Sequence, residues 1–200
     1  LFQLDDRGMP THVAGVPPDY FSPTGQRWGN PLYRWERMRE ENFAWWIRRF
    51  QAVLGRVDLV RFDHFLGLDR YWRIPAENPT AEVGEWQPAP GMEFLGRLQD
   101  ALGGLPIIAE DLGLITQGAM EMRDHFGLPG MNILQFAFGS GPENENLPHH
   151  YPTNCVAYTG THDNETSRGW YENTNESARH HFRVYTGSDG SRPAWDMVRC

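Results

Sequence analysis

Apolar residues recur at helical spacing through "LYRWERMREENFAWWIRRFQAVLG" (32–55). This predicts one amphipathic helix with Trp46, Phe50, Val53 and Leu54 on its buried side and Gly55 as its stop. The period then changes. "VDLVRFDHF" is a short β-branched run of strand type, and "PGMEFLGRLQDALGG" returns to helical spacing, opened by Pro90 and closed by Gly103 and Gly104. "LPIIAEDLG" reads as a second buried strand, followed by a helix from Thr116, a good N-cap, to about Phe126. "MNILQFAFG" and "NCVAYTGTHDN" supply two more strands, and a last helix is predicted over about Glu176 to Tyr185. Strands alternating with helices imply right-handed crossovers and a parallel sheet. The strands are continuous apolar runs, as expected when helices cover both faces of a sheet.

A (β/α)₈ barrel averages about 31 residues per unit over its typical ~250 residues, so four strands amount to half a barrel with long loops. The rival is a doubly wound open sheet. That fold usually carries a G-x-G-x-x-G phosphate loop, which is missing here, so the barrel is favoured. Position 1 is Leu, and "RPAWDMVRC" breaks off within an amphipathic segment. Both features predict an internal piece of a longer protein.

"GVPPDYFSPTGQRWGNP" (15–31) fits none of this. Four prolines and three glycines argue against a regular helix or a central strand, yet Tyr20, Phe21 and Trp28 are rings that a solvated loop normally avoids. A loop stiffened in this way can hold aromatic faces against a flat ligand, although the same rings could staple it to the rest of the fold.

Composition narrows the partners. The 200 residues carry a net charge of −8 with the basic residues scattered, which argues against nucleic acid and anionic membrane surfaces. No apolar run approaches the ~20 residues needed to span a bilayer. Two cysteines, Cys155 and Cys200, make no disulfide framework and point to a reducing, cytoplasmic compartment. Cys155, in an apolar run, is expected to be a buried and inert thiol. Aromatic residues, at 13%, mildly favour a carbohydrate surface.

The candidate chemistry sits where strand runs end. "VRFDH" ends in Asp63, "IIAEDLG" in Glu110 and "YTGTHDN" in Asp163, with His64 and His162 beside two of them. In a barrel the C-terminal strand ends meet at one mouth. A strand-end Asp often caps the next helix, but three acids together would repel one another and need a use. Alternation puts Arg61 on the same face as Asp63, where an arginine keeps a carboxylate ionised and fixes its rotamer, as a nucleophile requires. A structural Arg–Asp pair would have the same spacing. Glu110 follows "LPII", apolar surroundings that should raise its pKa and suit it to proton donation. Asp111 should point away and cap or orient.

Two carboxyl groups with opposite proton demands are the minimum equipment for breaking a glycosidic bond. A metal hydrolase is the competing use, but no H-x-H, H-E-x-x-H or Cys–His cluster appears, so neither metal nor cofactor is expected. His149–His150 and His180–His181 would point to opposite faces of any strand and be solvated.

"VAGVPPDYFSPTGQRWGNPLY", "VRFDHFLGLDRYW", "PIIAEDLG", "GLPGMNILQFAF" and "YTGTHDNETSRGWY" together resemble the bacterial amylomaltases, or 4-α-glucanotransferases, relatives of the α-amylases. The resemblance runs from about Leu1 to Tyr171. It implies barrel strands four to seven, with residues 1–34 inside an insertion that covers the active site. It makes Asp63 the nucleophile, Glu110 the acid/base and Asp163 the third carboxylate, which grips sugar hydroxyls. Arg61, His64 and His162 would contact the same substrate, Tyr20, Phe21 and Trp28 would stack on sugar rings, and Asp19 and Gln26 would bond acceptor hydroxyls. The implied partners are a maltooligosaccharide or starch-like donor and acceptor. Phe62 departs from the family's usual Ile without touching a proposed catalytic position. A plain glucan hydrolase and a non-catalytic glucan-binding domain are the other readings. Such hydrolases lack "PPDYFSPTGQ", and a binding module needs no acid set.

Overall fold

The computed structural model describes residues 1–19, 22–113 and 115–200, which form two compact units, 1–128 and 129–200. In chain order the first holds β1 (His12–Val16), β2 (Gln26–Pro31), α1 (Trp35–Glu40), α2 (Ala44–Leu54), β3 (Val60–Phe62), β4 (Arg70–Pro75), β5 (Glu85–Pro88), α3 (Gly91–Leu102), β6 (Ile107–Ala109) and α4 (Gln117–His125). The second holds β7 (Gly130–Ile133), β8 (Cys155–Tyr158), α5 (Ser167–Asn173), α6 (Glu176–Thr186) and α7 (Pro193–Arg199).

The chain is α/β, and the expected parallel pairing is present. β3 pairs with β6 in the first unit and β7 with β8 in the second, both in parallel. Each is a two-stranded sheet. The strands are shorter than their apolar runs, because Val57 and Leu59 are exposed before β3 and "LQF" turns into a 3₁₀ helix after β7.

The helix expected over 32–55 is two helices. Asn42 and Phe43 take left-handed backbone angles, φ 49° and 55°, and the break turns the Phe43 ring into the core against Phe94, centroids 5.5 Å apart. Trp46 and Phe50 are buried as expected, whereas Val53, in the last turn of α2, is exposed. Phe62 stacks on Phe50 at 6.1 Å and 12° and on Trp46 at 5.9 Å. By anchoring β3 to the helical layer, Phe62 leaves Arg61 and Asp63 on the opposite face. α3 and α4 match their expected spans. Gly103 closes α3 in the left-handed region at φ 74°, and the Thr116 side chain caps α4 by accepting from the Ala119 N–H at 3.2 Å.

A four-stranded antiparallel sheet, order β2-β1-β4-β5, was not legible in the sequence. It also corrects the reading of the proline-rich stretch. Gly15 and Val16 end β1, which is a central strand, and only the segment from Pro17 leaves the sheet before Gln26 returns as edge strand β2. The pairing is irregular between Val13 and Gly15. A Cβ on Gly15 would collide with the Gln26 carbonyl and lie 2.6 Å from Ile74 Cδ1, so only glycine lets three strands approach there. Gly15→Ala is expected to cost about 2–3 kcal/mol, read as a lower urea midpoint with unchanged slope. An unchanged midpoint would show that the irregular pairing absorbs a methyl group.

In the second unit, Leu134, Phe138, Leu147, Phe182 and Met197 build the core, with the Phe138 ring edge-on to Phe182 at 5.1 Å. α6 covers its expected span with Asn175 as N-cap. The paired histidines are not on strands. His149 and His150 lie in a 3₁₀ turn with rings 4.0 Å apart and His149 Nδ1 2.8 Å from the Tyr185 hydroxyl, while His180 and His181 sit in α6. Cys155 is half-buried in β8.

Candidate active site

The β3–β6 ladder sets Arg61 level with Ile108 and Phe62 level with Ala109. It continues one step further. The Glu110 N–H donates to the Phe62 carbonyl at 3.0 Å, and the Phe65 N–H donates to the Glu110 carbonyl at 3.0 Å. Asp63 and Glu110 therefore leave the two strands side by side at their C-terminal ends.

Arg61 Nη1 donates to Asp63 Oδ1 at 2.6 Å, which is the pair that alternation predicted. The Asp63 side chain is 74% exposed, so a ligand can reach its free oxygen. Glu110 is more enclosed. Burial raises its carboxyl pKa above the usual range, and the nearby Asp63 charge adds to the rise. Against this act the His64 N–H, donating to Oε2 at 2.7 Å, the Leu112 N–H, donating to Oε1 at 3.1 Å, and the Arg61 charge. Burial outweighs them. Neighbouring Asp111 turns away, with its side chain 6% exposed and Oδ2 taking a 2.6 Å hydrogen bond from Arg123 Nη1. This buried pair ties the end of β6 to α4, the orienting role expected of it.

His64 is left-handed, φ 52° and ψ 55°. Its ring meets the Trp28 indole edge-on at 4.8 Å, and burial lowers its pKa against the pull of Asp63. Trp28, 43% exposed, donates from Nε1 to Gln26 Oε1 at 3.2 Å. Asp19 Oδ1 accepts from the Ser22 N–H at 2.8 Å. The first unit thus gathers Arg61, Asp63, His64, Glu110, Gln26 and Trp28, while Tyr20 and Phe21 lie outside the described residues.

The second unit carries Asp163 and His162 on an exposed turn, Asp163 Oδ2 lying 3.4 Å from His162 Nε2. Asn164 Oδ1 shapes this turn by accepting from the Thr161 N–H at 2.8 Å and the Thr161 hydroxyl at 2.9 Å. Buried Gln135 donates from Nε2 to the Glu165 carbonyl at 2.8 Å, in a space where a Cβ on Gly160 would lie 2.5 Å from that nitrogen. Gln135 and Asn164 were missed from sequence. The single amide within the apolar run "ILQFAF" was the available signal, since a buried polar group needs a partner. Among the described residues, no group of three or more His, Cys, Asp or Glu is placed to hold a metal, and no helix is long and apolar enough to cross a membrane.

A family model described as 4-alpha-glucanotransferase, glycoside hydrolase family 77, matches residues 1–200. The chain belongs to the 4-alpha-glucanotransferase family. It is 57% identical over 172 residues to a 4-alpha-glucanotransferase of Thermus thermophilus, covering 85% of this chain and 34% of the relative. It is 50% identical over 204 residues to that of Synechocystis, covering 99% of this chain and 40% of the relative. A solved structure of amylomaltase from Streptococcus agalactiae in complex with acarbose superposes with a TM-score of 0.94 at 42% identity, covering all of this chain and 41% of that one. The chain therefore spans between a third and two-fifths of the length of these 4-alpha-glucanotransferase relatives. Plant members of the family are named as chloroplastic or amyloplastic.

Proposed function

We propose that this chain carries the nucleophile and the acid/base of a retaining 4-α-glucanotransferase, which moves α-1,4-glucan segments between maltodextrins. The observation that carries this is the side-by-side exit of Asp63 and Glu110 from paired parallel strands. Neighbouring strands lie about 4.8 Å apart. Carboxyl groups so placed suit the about 5–5.5 Å of retaining glycosidases better than the about 6.5–9.5 Å of inverting ones, which must admit a water molecule between them. Their surroundings separate their roles. Burial favours the protonated form of Glu110, while Asp63 is fixed by Arg61 and open to a ligand.

In the first step Glu110 gives its proton to the bridging oxygen as that oxygen leaves C1, and Asp63 attacks C1 from the other face. The shortened glucan departs with a free 4-hydroxyl, leaving a glucosyl ester on Asp63. The 4-hydroxyl of a second glucan then attacks C1, giving its proton to Glu110 and freeing Asp63. Asp163 grips sugar hydroxyls and acts mainly in the oxocarbenium-like transition state, with His162 bonding the same sugar and Arg61 holding Asp63 in place. Tyr20, Phe21 and Trp28 stack on pyranose rings, and Asp19 and Gln26 meet the acceptor. The two parallel pairs are read as strands four to seven of a (β/α)₈ barrel, with residues 1–34 part of an insertion over its mouth. A donor and an acceptor glucan are the only partners the chemistry needs, and the cytoplasm is the proposed location.

Transfer requires that a sugar hydroxyl reach the ester before water does. The test is product analysis of maltotriose incubated with the full-length protein and with its Tyr20→Ala/Phe21→Ala variant. Glucose plus a ladder of longer maltodextrins is expected from the first, with a higher share of hydrolysis in the second. Shortened products alone from the unmodified protein would mean a hydrolase, and an unchanged ratio in the variant would leave the rings a purely structural role.

A further inference from the structure

Glu110 is held by a main-chain group that is itself held in an uncommon conformation. His64 is one of three non-glycine residues among those described with positive φ, and it follows the proposed nucleophile directly. A histidine in the left-handed region is strained and persists there only where its surroundings over-determine it. Two contacts do so here. On one side the Trp28 indole lies edge-on at 4.8 Å. On the other Gly67 is so close that a Cβ there would lie 2.9 Å from the imidazole Cδ2. The product of this clamp is a backbone N–H aimed at Glu110 Oε2 at 2.7 Å, which an extended residue at position 64 would turn elsewhere.

We propose that His64 is a positioning residue for Glu110, acting through its main-chain N–H, and that Trp28 and Gly67 clamp the left-handed turn that aims it. This rests on the reading of Glu110 as acid/base and goes beyond substrate contact by the imidazole. Burial lowers the His64 pKa against the pull of Asp63, but the contact with Glu110 is made by the main-chain N–H, a dipole that does not itself titrate. The other groups acting on Glu110 are Asp63, Arg61 and the Leu112 N–H, and none of these depends on the backbone angle at 64. The arrangement links Trp28, on edge strand β2, to the proposed proton donor through a single residue.

The test uses the full-length enzyme and two readouts. One is a difference-infrared titration of the Glu110 carboxyl, assigned with Glu110→Gln, which needs no turnover. The other is kcat on maltotriose. Asn accepts left-handed angles and Val does not. His64→Asn should therefore leave the Glu110 titration close to wild type. His64→Val should move the titration to higher pH, because an N–H donor to the ionised form is lost, and lower kcat about tenfold or more. Trp28→Ala, at a partly exposed site where folding is not at risk, should move it in the same direction. If Asn and Val at 64 and Ala at 28 all leave the titration where it was, the proposal is overturned, whatever they do to KM. A wild-type enzyme that makes no longer maltodextrins would sink the transferase reading, while the infrared titration would still decide the role of His64.

Discussion

Asp63→Asn in the full-length enzyme is expected to lower glucosyl transfer from maltotriose by at least about 10⁴-fold, with the ladder of longer products lost. The reason is chemical rather than structural. Asn has the same shape, and its amide oxygen can still accept from Arg61 Nη1, which holds Asp63 at 2.6 Å. The end of β3 stays anchored by Phe62, whose ring stacks in the helical layer away from the site. What the amide lacks is the charge and nucleophilicity to form an ester at C1, so the first displacement stops. The melting temperature should change little, which separates this loss from unfolding. Isolation of a covalent glucosyl intermediate from the Asn variant would refute the assignment.

Removing the proposed proton donor should have the second largest effect, and it depends on the substrate in a telling way. Glu110→Gln is expected to reduce maltotriose transfer by about 10²–10⁴-fold, the usual worth of a positioned general acid. With a maltosyl fluoride donor, whose leaving group needs no proton, the loss in the first step should be far smaller. Equal losses on both donors would mean that Glu110 serves only the structure. The pH dependence has a definite sign. Burial raises the Glu110 carboxyl, so the donor form persists above the ordinary range of a glutamate, and activity should fall on the alkaline side as that proton leaves. The same shift works against stability. A group whose folded pKa is raised contributes stability that is present below its unfolded pKa and lost as pH rises through the folded one. Around neutral pH the enzyme thus holds Glu110 at a cost in stability.

Much of this site was legible without coordinates because its information is local. Two-residue alternation alone places Arg61 beside Asp63 on the face opposite Phe62, and the apolar "LPII" before Glu110 foretells its burial. The helices over 91–102, 117–125 and 176–186 declared themselves through spacing, the first two also through the Gly103 stop and the Thr116 cap, which are short-range chemistry. The single helix expected over 32–55 failed for the opposite reason. Its periodicity carries through Asn42–Phe43, and only the distant Phe94 ring makes a left-handed break there worthwhile. The antiparallel sheet was missed because its strands join residues near 14, 28, 72 and 86, and pairing over such separations leaves no periodic trace.

By itself, then, the sequence determined the α/β alternation, the acids at the strand ends and the family, because periods, caps and motifs are written in neighbouring residues. Tertiary structure alone decided which strands pair, and with that the level exit of Asp63 and Glu110 from β3 and β6. It also decided that the His64 and Leu112 N–H groups, present in every peptide and invisible in any motif, converge on the Glu110 carboxylate. A backbone donor has no letter in the sequence. Its direction is set by φ and ψ, and at His64 those angles are set by contacts with Trp28, 36 positions earlier in the chain, and with Gly67.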